Sequence, residues 1–163
     1  MVVGVSAAER QALIERYTRG HEVVLAALAG ATDAELDHPN PDGWTARQVV
    51  HHLADSEMTS ALRLRRLLVE DHPEIANYDE EAFADRLWYT SRPIEAALDA
   101  FGAARRTTAE ILARLEEADW AREGTHTASG RYTVTDWLRI YAAHAEEHAA
   151  QLDRCLEAAR QRV

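Results

Sequence analysis

Helix-forming segments dominate this chain, and the long ones open on recognisable start signals. Only 7 Gly and 4 Pro interrupt its 163 residues, while Ala, Leu, Glu and Arg, all strong helix formers, predominate. Ser6 with Glu9, and Thr45 with Gln48, have the spacing in which two side chains each satisfy an orphan backbone N–H of a helix start. The first pair predicts a helix from about residue 7 to 29, with Leu13, Ile14, Tyr17, Val24, Leu25 and Leu28 at helical spacing and Gly30 as its stop. The second predicts a helix over 46–69, striped by Val49, Val50, Leu53, Ala61, Leu64, Leu67 and Leu68. A third starts near Pro93, a residue suited to a first turn, and carries Ile94, Leu98, Phe101, Ile111, Leu112 and Leu115 on its apolar face. A fourth runs over about 134–159, capped by Thr133 or Thr135.

The connections are less regular. A turn of helix starts at Thr32, and Pro39, Asn40, Pro41, Asp42 and Gly43 form a loop. Residues 71–93 make a long link in which Asn77 and Glu80 cap a short helix through Phe83 and Leu87. Residues 124–133 read as a loop or small hairpin turning at Ser129-Gly130. The fold predicted is all-α: a four-helix bundle forming one domain over 1–163. The long connection after the second helix sets it apart from a simple up-down-up-down chain.

Charge and composition exclude several function classes. There are 18 Lys plus Arg against 28 Asp plus Glu, a net charge of -10 that repels phosphate backbones, so no nucleic-acid partner is expected. Arg63, Arg65 and Arg66 lie at helical spacing and read as a solvated helix face. The longest apolar run, Val23 to Ala31, is far too short to span a bilayer. Met1 to Ser6 carry no basic stretch, and Glu9 and Arg10 follow, so no secretory signal is expected. The single Cys155 cannot form an internal disulfide. These features together predict a cytoplasmic, acidic protein without membrane spans.

The histidines are the informative residues. His21, His38, His72 and His126 sit beside charged, Pro or turn residues and read as solvated surface. His144 and His148 differ. The last helix carries Val134, Trp137, Leu138, Tyr141, Leu152, Cys155 and Leu156 as its stripe, and at about 100° per residue His148 falls near its middle and His144 at its edge. Burying one polar ring without a partner costs on the order of 1–3 kcal/mol, so two adjacent ones need compensation. A divalent metal is the economical compensation, since imidazoles at i and i+4 share one helix face; a hydrogen bond from each ring to a buried carboxylate or carbonyl is the alternative. Glu146 and Glu147 read as solvated, and Ala145 breaks the His-Glu-x-x-His pattern of zinc proteases. A third ligand comes from His51 or His52; neighbouring residues point about 100° apart, and the wheel leans weakly toward His52. Asp55 could ligate, orient an imidazole, or pair with Arg47 or Arg63 at the surface. Trp44, Tyr78 and Tyr141 are candidates to line a pocket; Trp44 and Tyr141 read rather as core, and Tyr78 has no clear assignment.

Three segments resemble a known family. Gly43-Trp44-Thr45-Ala46-Arg47-Gln48-Val49-Val50-His51-His52-Leu53-Ala54-Asp55-Ser56 is similar to the first signature of the DinB/YfiT-like superfamily. The branch concerned is described as metal-dependent hydrolases and as bacillithiol S-transferases. Tyr78-Asp79-Glu80-Glu81-Ala82-Phe83 resembles its Tyr-Asp-Glu segment, and residues Leu138 to His148 its second metal motif. The resemblance covers about residues 15–156. It implies a four-helix bundle, often a homodimer, with one divalent ion on His52, His144 and His148. Relatives of this branch commonly carry His where Glu57 stands, and further His around the last ligand where this chain has Glu146, Glu147 and Gln151, which changes the charge of the pocket.

Three neutral ligands leave such an ion its full double charge and an open position, the pattern of a catalytic site. Imidazole suits zinc, nickel, manganese and iron; zinc and nickel are placed first. The ion can bring a bound water to a pKa of about 7 for hydrolysis, or deprotonate a bound thiol for transfer. Cys155 lies two turns beyond His148 and reads as core, so the thiol is a low-molecular-weight cofactor, bacillithiol-like. S-transfer to an electrophilic small molecule is the expected reaction. Hydrolysis is the alternative, and a metal-binding stress-response module without catalysis stands behind both.

Overall fold

The computed structural model describes residues 5–40 and 43–161; Met1 to Gly4 of the N-terminal stretch, and Pro41 and Asp42 of the expected loop, lie outside it. Its helices are α1 (Ala7–Ala27), α2 (Asp33–Leu36), α3 (Ala46–Val69), α4 (Glu80–Arg86), α5 (Glu95–Leu112) and α6 (Val134–Arg160). The three short strands are β1 (Glu74–Ile75), β2 (Glu123–His126) and β3 (Gly130–Thr133), and a 3-10 turn spans Glu117–Ala121.

The start signals act as their chemistry requires. Ser6/Glu9, Thr32/Glu35, Thr45/Gln48 and Thr133/Asp136 each form a reciprocal capping box at the heads of α1, α2, α3 and α6. Thr133 therefore caps α6, and Thr135 instead donates its hydroxyl to the Trp120 carbonyl at 3.1 Å. The cap of α4 is Asp79, whose carboxylate accepts from the Ala82 N–H at 3.0 Å, not Asn77. Asn77 is drawn away because its N–H donates to the Thr127 hydroxyl. α1 ends at Ala27, two residues early, and Gly30 (φ 71°) turns the chain in the left-handed region that suits glycine.

α1 packs along α6, and α3 packs against both α5 and α6. Two apolar clusters result. One gathers Val24, Val49, Leu53, Phe101, Ala145 and Leu152; the other gathers Tyr17, Leu64, Leu67, Leu112, Trp137 and Leu138. The sheet orders β1-β2-β3, with β1 parallel to β2 and β2 antiparallel to β3. β1 pins the long link after α3: the Thr125 N–H donates to the Pro73 carbonyl and the Thr127 N–H to the Ile75 carbonyl, both at 2.9 Å. Ile75 is wholly buried there. That link sets α4 against α3, which positions the site described next.

An ion pair lies inside the bundle. Glu57 of α3 and Arg105 of α5 are 0% and 1% exposed at their side chains and meet at 2.9 Å. Arg105 also donates to the carbonyls of Tyr17 and Tyr141, and Glu57 accepts from the Tyr17 hydroxyl. Arg105 is thus bonded to α1, α3 and α6 at once. Gly20 makes room for it, since a Cβ at that position would stand 2.1 Å from the Arg105 Nη1.

Candidate metal centre

His52 projects from α3, and His144 and His148 from successive turns of α6. Their ring centroids lie 5.4 Å (52–144), 4.8 Å (52–148) and 4.5 Å (144–148) apart. One nitrogen from each lies within 4.8 Å of the others. Tetrahedral zinc with bonds of 2.0–2.1 Å needs donors about 3.4 Å apart, so a small rotamer adjustment closes the triangle on one ion.

The electrostatics suit ligation. Burial, with the charge of His148 added, pushes His52 down to about 4. Burial first, then its two histidine neighbours, pushes His144 down to about 2. His148 is also lowered by burial. All three rings are therefore neutral near pH 7, the form in which imidazole donates a lone pair to a metal. His144 Nδ1 is buried without a hydrogen-bond partner, which a ligated ion or a donor in its place would satisfy. The donor set and this orphaned nitrogen fit a divalent cation.

The neighbouring groups sort the remaining candidates. His51 points away: its Nε2 faces the Arg92 carbonyl at 3.1 Å and its ring packs on Tyr89. Asp55 accepts from the Tyr89 hydroxyl rather than from an imidazole, Arg47 or Arg63. Glu146 pairs with Arg16 of α1 at 2.6 Å, and Glu147 is exposed. Tyr141 is core, as expected, its ring 5.6 Å from that of His144. Tyr78 packs on Phe83, with the Arg63 guanidinium over its ring. Cys155 is buried, near the Asn40 side chain and the Trp44 carbonyl.

Two expectations need correction. Trp44 is not core. It is half-buried, its ring sits 5.1 Å from that of His52, and it lines the cavity, because the loop before α3 ends over the mouth of the site. His21 is not solvated surface; its ring packs edge-on against Phe101 and fills the space left by Gly102. One functional contact escaped sequence reasoning. Gln151 Oε1 lies 2.8 Å from His148 Nδ1, so His148 donates there and keeps Nε2 for a metal. The signal was present, since Gln151 follows His148 by three residues and shares its helix face.

The three rings form the floor of an open cavity of about 320 Å³, whose walls are Gly43, Trp44, Glu80, Glu81 and Gln151. That size admits a small molecule. Such an arrangement can bind one cation through three neutral nitrogens while leaving a face open to solvent and substrate.

Comparison with known proteins agrees with this geometry. YfiT from Bacillus subtilis, described as a probable metal-dependent hydrolase with an unusual four-helix bundle topology, superposes with a TM-score of 0.88 over 99% of this chain and 91% of its own, at 27% identity. A Geobacillus thermodenitrificans protein named "Putative metal-dependent hydrolase" is 37% identical over 136 residues, 80% of this chain and 75% of that one. The Oceanobacillus iheyensis protein "Putative metal-dependent hydrolase OB0782" is 37% identical over 110 residues, and the match covers 68% of this chain and 63% of that protein's length, a little under two thirds. The family model described as DinB superfamily matches residues 16–152. By fold and by sequence, the chain belongs to the DinB superfamily.

Proposed function

We propose that this protein is a metal-dependent enzyme in which His52, His144 and His148 hold one divalent ion, zinc or nickel, that activates a small thiol for S-transfer to an electrophilic small molecule. The observation that carries the reading is the convergence of three neutral imidazole nitrogens within 4.8 Å at the floor of a solvent-open cavity. When bound, the ion would supply a Lewis acid that lowers the pKa of the nucleophile. The chain's own residues supply the rest. Gln151 holds His148 in one tautomer, and Trp44 with the first turn of α4 bounds the approach. Cys155 is buried and does not line the cavity, so the sulfur comes from a small cofactor. Hydrolysis is the second reading, favoured by the names of the relatives from Oceanobacillus and Geobacillus.

The test begins with metal content. Wild-type protein purified without a metal-affinity column is expected to carry about one divalent ion per chain, and His148→Ala to carry none while keeping its helical circular dichroism. Turnover of an electrophile such as a chloroarene that requires added low-molecular-weight thiol supports transfer. Ester or amide cleavage without thiol supports hydrolysis. Metal-free protein as purified, inert in both assays, would leave only a binding module.

A further inference from the structure

We infer that Arg105 is a positioning residue for the metal centre: through Glu57 and the Tyr141 carbonyl it fixes the register of α3 against α6, and so the place of His52 relative to His144 and His148. This rests on the metal reading above. One helix sets the pair on α6, but a second helix brings the third ligand. Its distance from the other two therefore depends on how the helices lie. A metal site needs its donors held to within about 0.5 Å, whereas one residue of slip along a helix is about 1.5 Å.

The apolar seam at the ligands does not choose a register by itself. Val49 and Leu53 of α3 share one cluster with Ala145 and Ala149 of α6, and burial of apolar surface carries no direction. Hydrogen bonds do. Two of them tie the seam just beyond the ligands. Glu57, five residues past His52, accepts from Arg105 Nε at 2.9 Å, while Arg105 Nη2 donates at 2.9 Å to the carbonyl of Tyr141, three residues before His144. Trp137 Nε1 donates to the Ser60 carbonyl at 2.8 Å. His52 meets His144 and His148, Glu57 reaches Tyr141, and Ser60 meets Trp137: positions rise along α3 as they fall along α6, in one antiparallel register.

The guanidinium has little freedom to drift. Its Nη1 donates to the Tyr17 carbonyl of α1 at 2.6 Å, so three nitrogens on α5 reach three other helices. It lies over the rings of Tyr17 and Phe101, 4.3 Å and 5.0 Å from their centroids. A Cβ on Gly20 would stand 2.1 Å from Nη1 and 2.7 Å from the Cβ of Ala145, the residue after His144. Neither Glu57 nor Arg105 lines the cavity, so their effect on the centre passes through the helices.

Cobalt(II) is the probe. Wild type, E57Q/R105M, R105K and L67A are titrated with it in competition with a chromogenic chelator, and the d–d bands of the loaded proteins are recorded. Urea denaturation of the metal-free proteins runs alongside. E57Q/R105M removes both charges together, so no buried charge is stranded. R105K keeps a cation for Glu57 but lacks the planar fork that spans the helices. L67A weakens the other apolar cluster at the far end of α3, fifteen residues from His52. E57Q/R105M is expected to bind cobalt about tenfold more weakly, with weaker and shifted bands, and R105K to lose a part of that. L67A is expected to lower the urea midpoint while keeping wild-type affinity and bands, since lost stability does not alter binding by molecules already folded. Wild-type affinity and bands in E57Q/R105M overturn the inference and leave the metal reading intact; R105K decides in its place if the double variant does not fold. An equal loss in L67A also overturns it, by making the effect one of general stability. No cobalt uptake by the wild type overturns the metal reading and this one with it.

Discussion

At the residue scale, the question is what makes one buried and two half-buried imidazoles tolerable side by side. Their depressed pKa values answer for neutral pH and predict a penalty below it. A histidine that resists protonation when folded binds its proton more readily in the unfolded chain, so acid favours unfolding. In metal-free protein, stability is therefore complete above about pH 6.5, the ordinary histidine value. It falls as pH drops from there toward about 4, where His52 itself protonates. The slope approaches about 1.4 kcal/mol per pH unit for each ring. Urea midpoints of chelated protein between pH 7.5 and 5 should track this loss, and a flat profile would mean the rings are solvated. Gln151 gives a second prediction. Gln151→Ala frees His148 Nδ1 from its acceptor, and metal affinity is expected to fall 10–100-fold with the fold unchanged, measured by competition with a chromogenic chelator. The histidine pair on α6 was legible because spacing alone puts both on the buried face. The choice between His51 and His52 was not, since one step of the helix wheel cannot say which neighbour meets a ring from another helix.

At the scale of elements, the helices were legible where caps and periodicity coincide, as at Ser6, Thr45 and Thr133. What stayed hidden is what polar residues do between helices. Glu57 and Arg105 sit on helices with strong apolar stripes, and nothing local distinguishes a solvated Arg from one that crosses the core to a carboxylate 48 residues away. β1 was hidden for a related reason: two residues carry no period, and its pairing partner lies 51 positions downstream. The buried pair makes its own prediction. Arg105→Ala leaves the buried Glu57 carboxyl without its partner and the Tyr17 and Tyr141 carbonyls without a donor, at an expected cost of about 3–5 kcal/mol. Glu57→Gln combined with Arg105→Met removes both charges and is expected to recover a substantial part of that loss. Chemical denaturation of Glu57→Gln, Arg105→Met and the double variant completes the cycle, and strict additivity would mean the pair does not couple.

At the scale of the whole molecule, the position of the site between the two apolar clusters decides whether an ion would hold the fold together or use a fold already made. His52 lies between Val49 and Leu53 on α3, and His144 and His148 flank Ala145 on α6, all three apolar neighbours belonging to the cluster at that end. The second cluster, around Trp137 and Leu64, meets the site through Tyr141, whose ring lies 5.6 Å from that of His144. No helix among the described residues is long and apolar enough to cross a membrane. With α1, α3, α5 and α6 packed through such clusters and bonded by Arg105, removal of the metal is expected to leave the bundle folded. Ligand linkage then sets the size of the change: an ion present at a hundred times its Kd stabilises by about 2.7 kcal/mol, which for a chain of this length is a Tm shift of roughly 5–10 °C. Melting followed by circular dichroism before and after chelation at pH 7.5, with zinc added back, measures it. A reversible shift with full helicity at 25 °C is the outcome expected of a site that uses the ion for chemistry. Collapse of the helical signal on chelation would instead make the three histidines the staple of the bundle, and the cavity above them would lose its claim to be an active site.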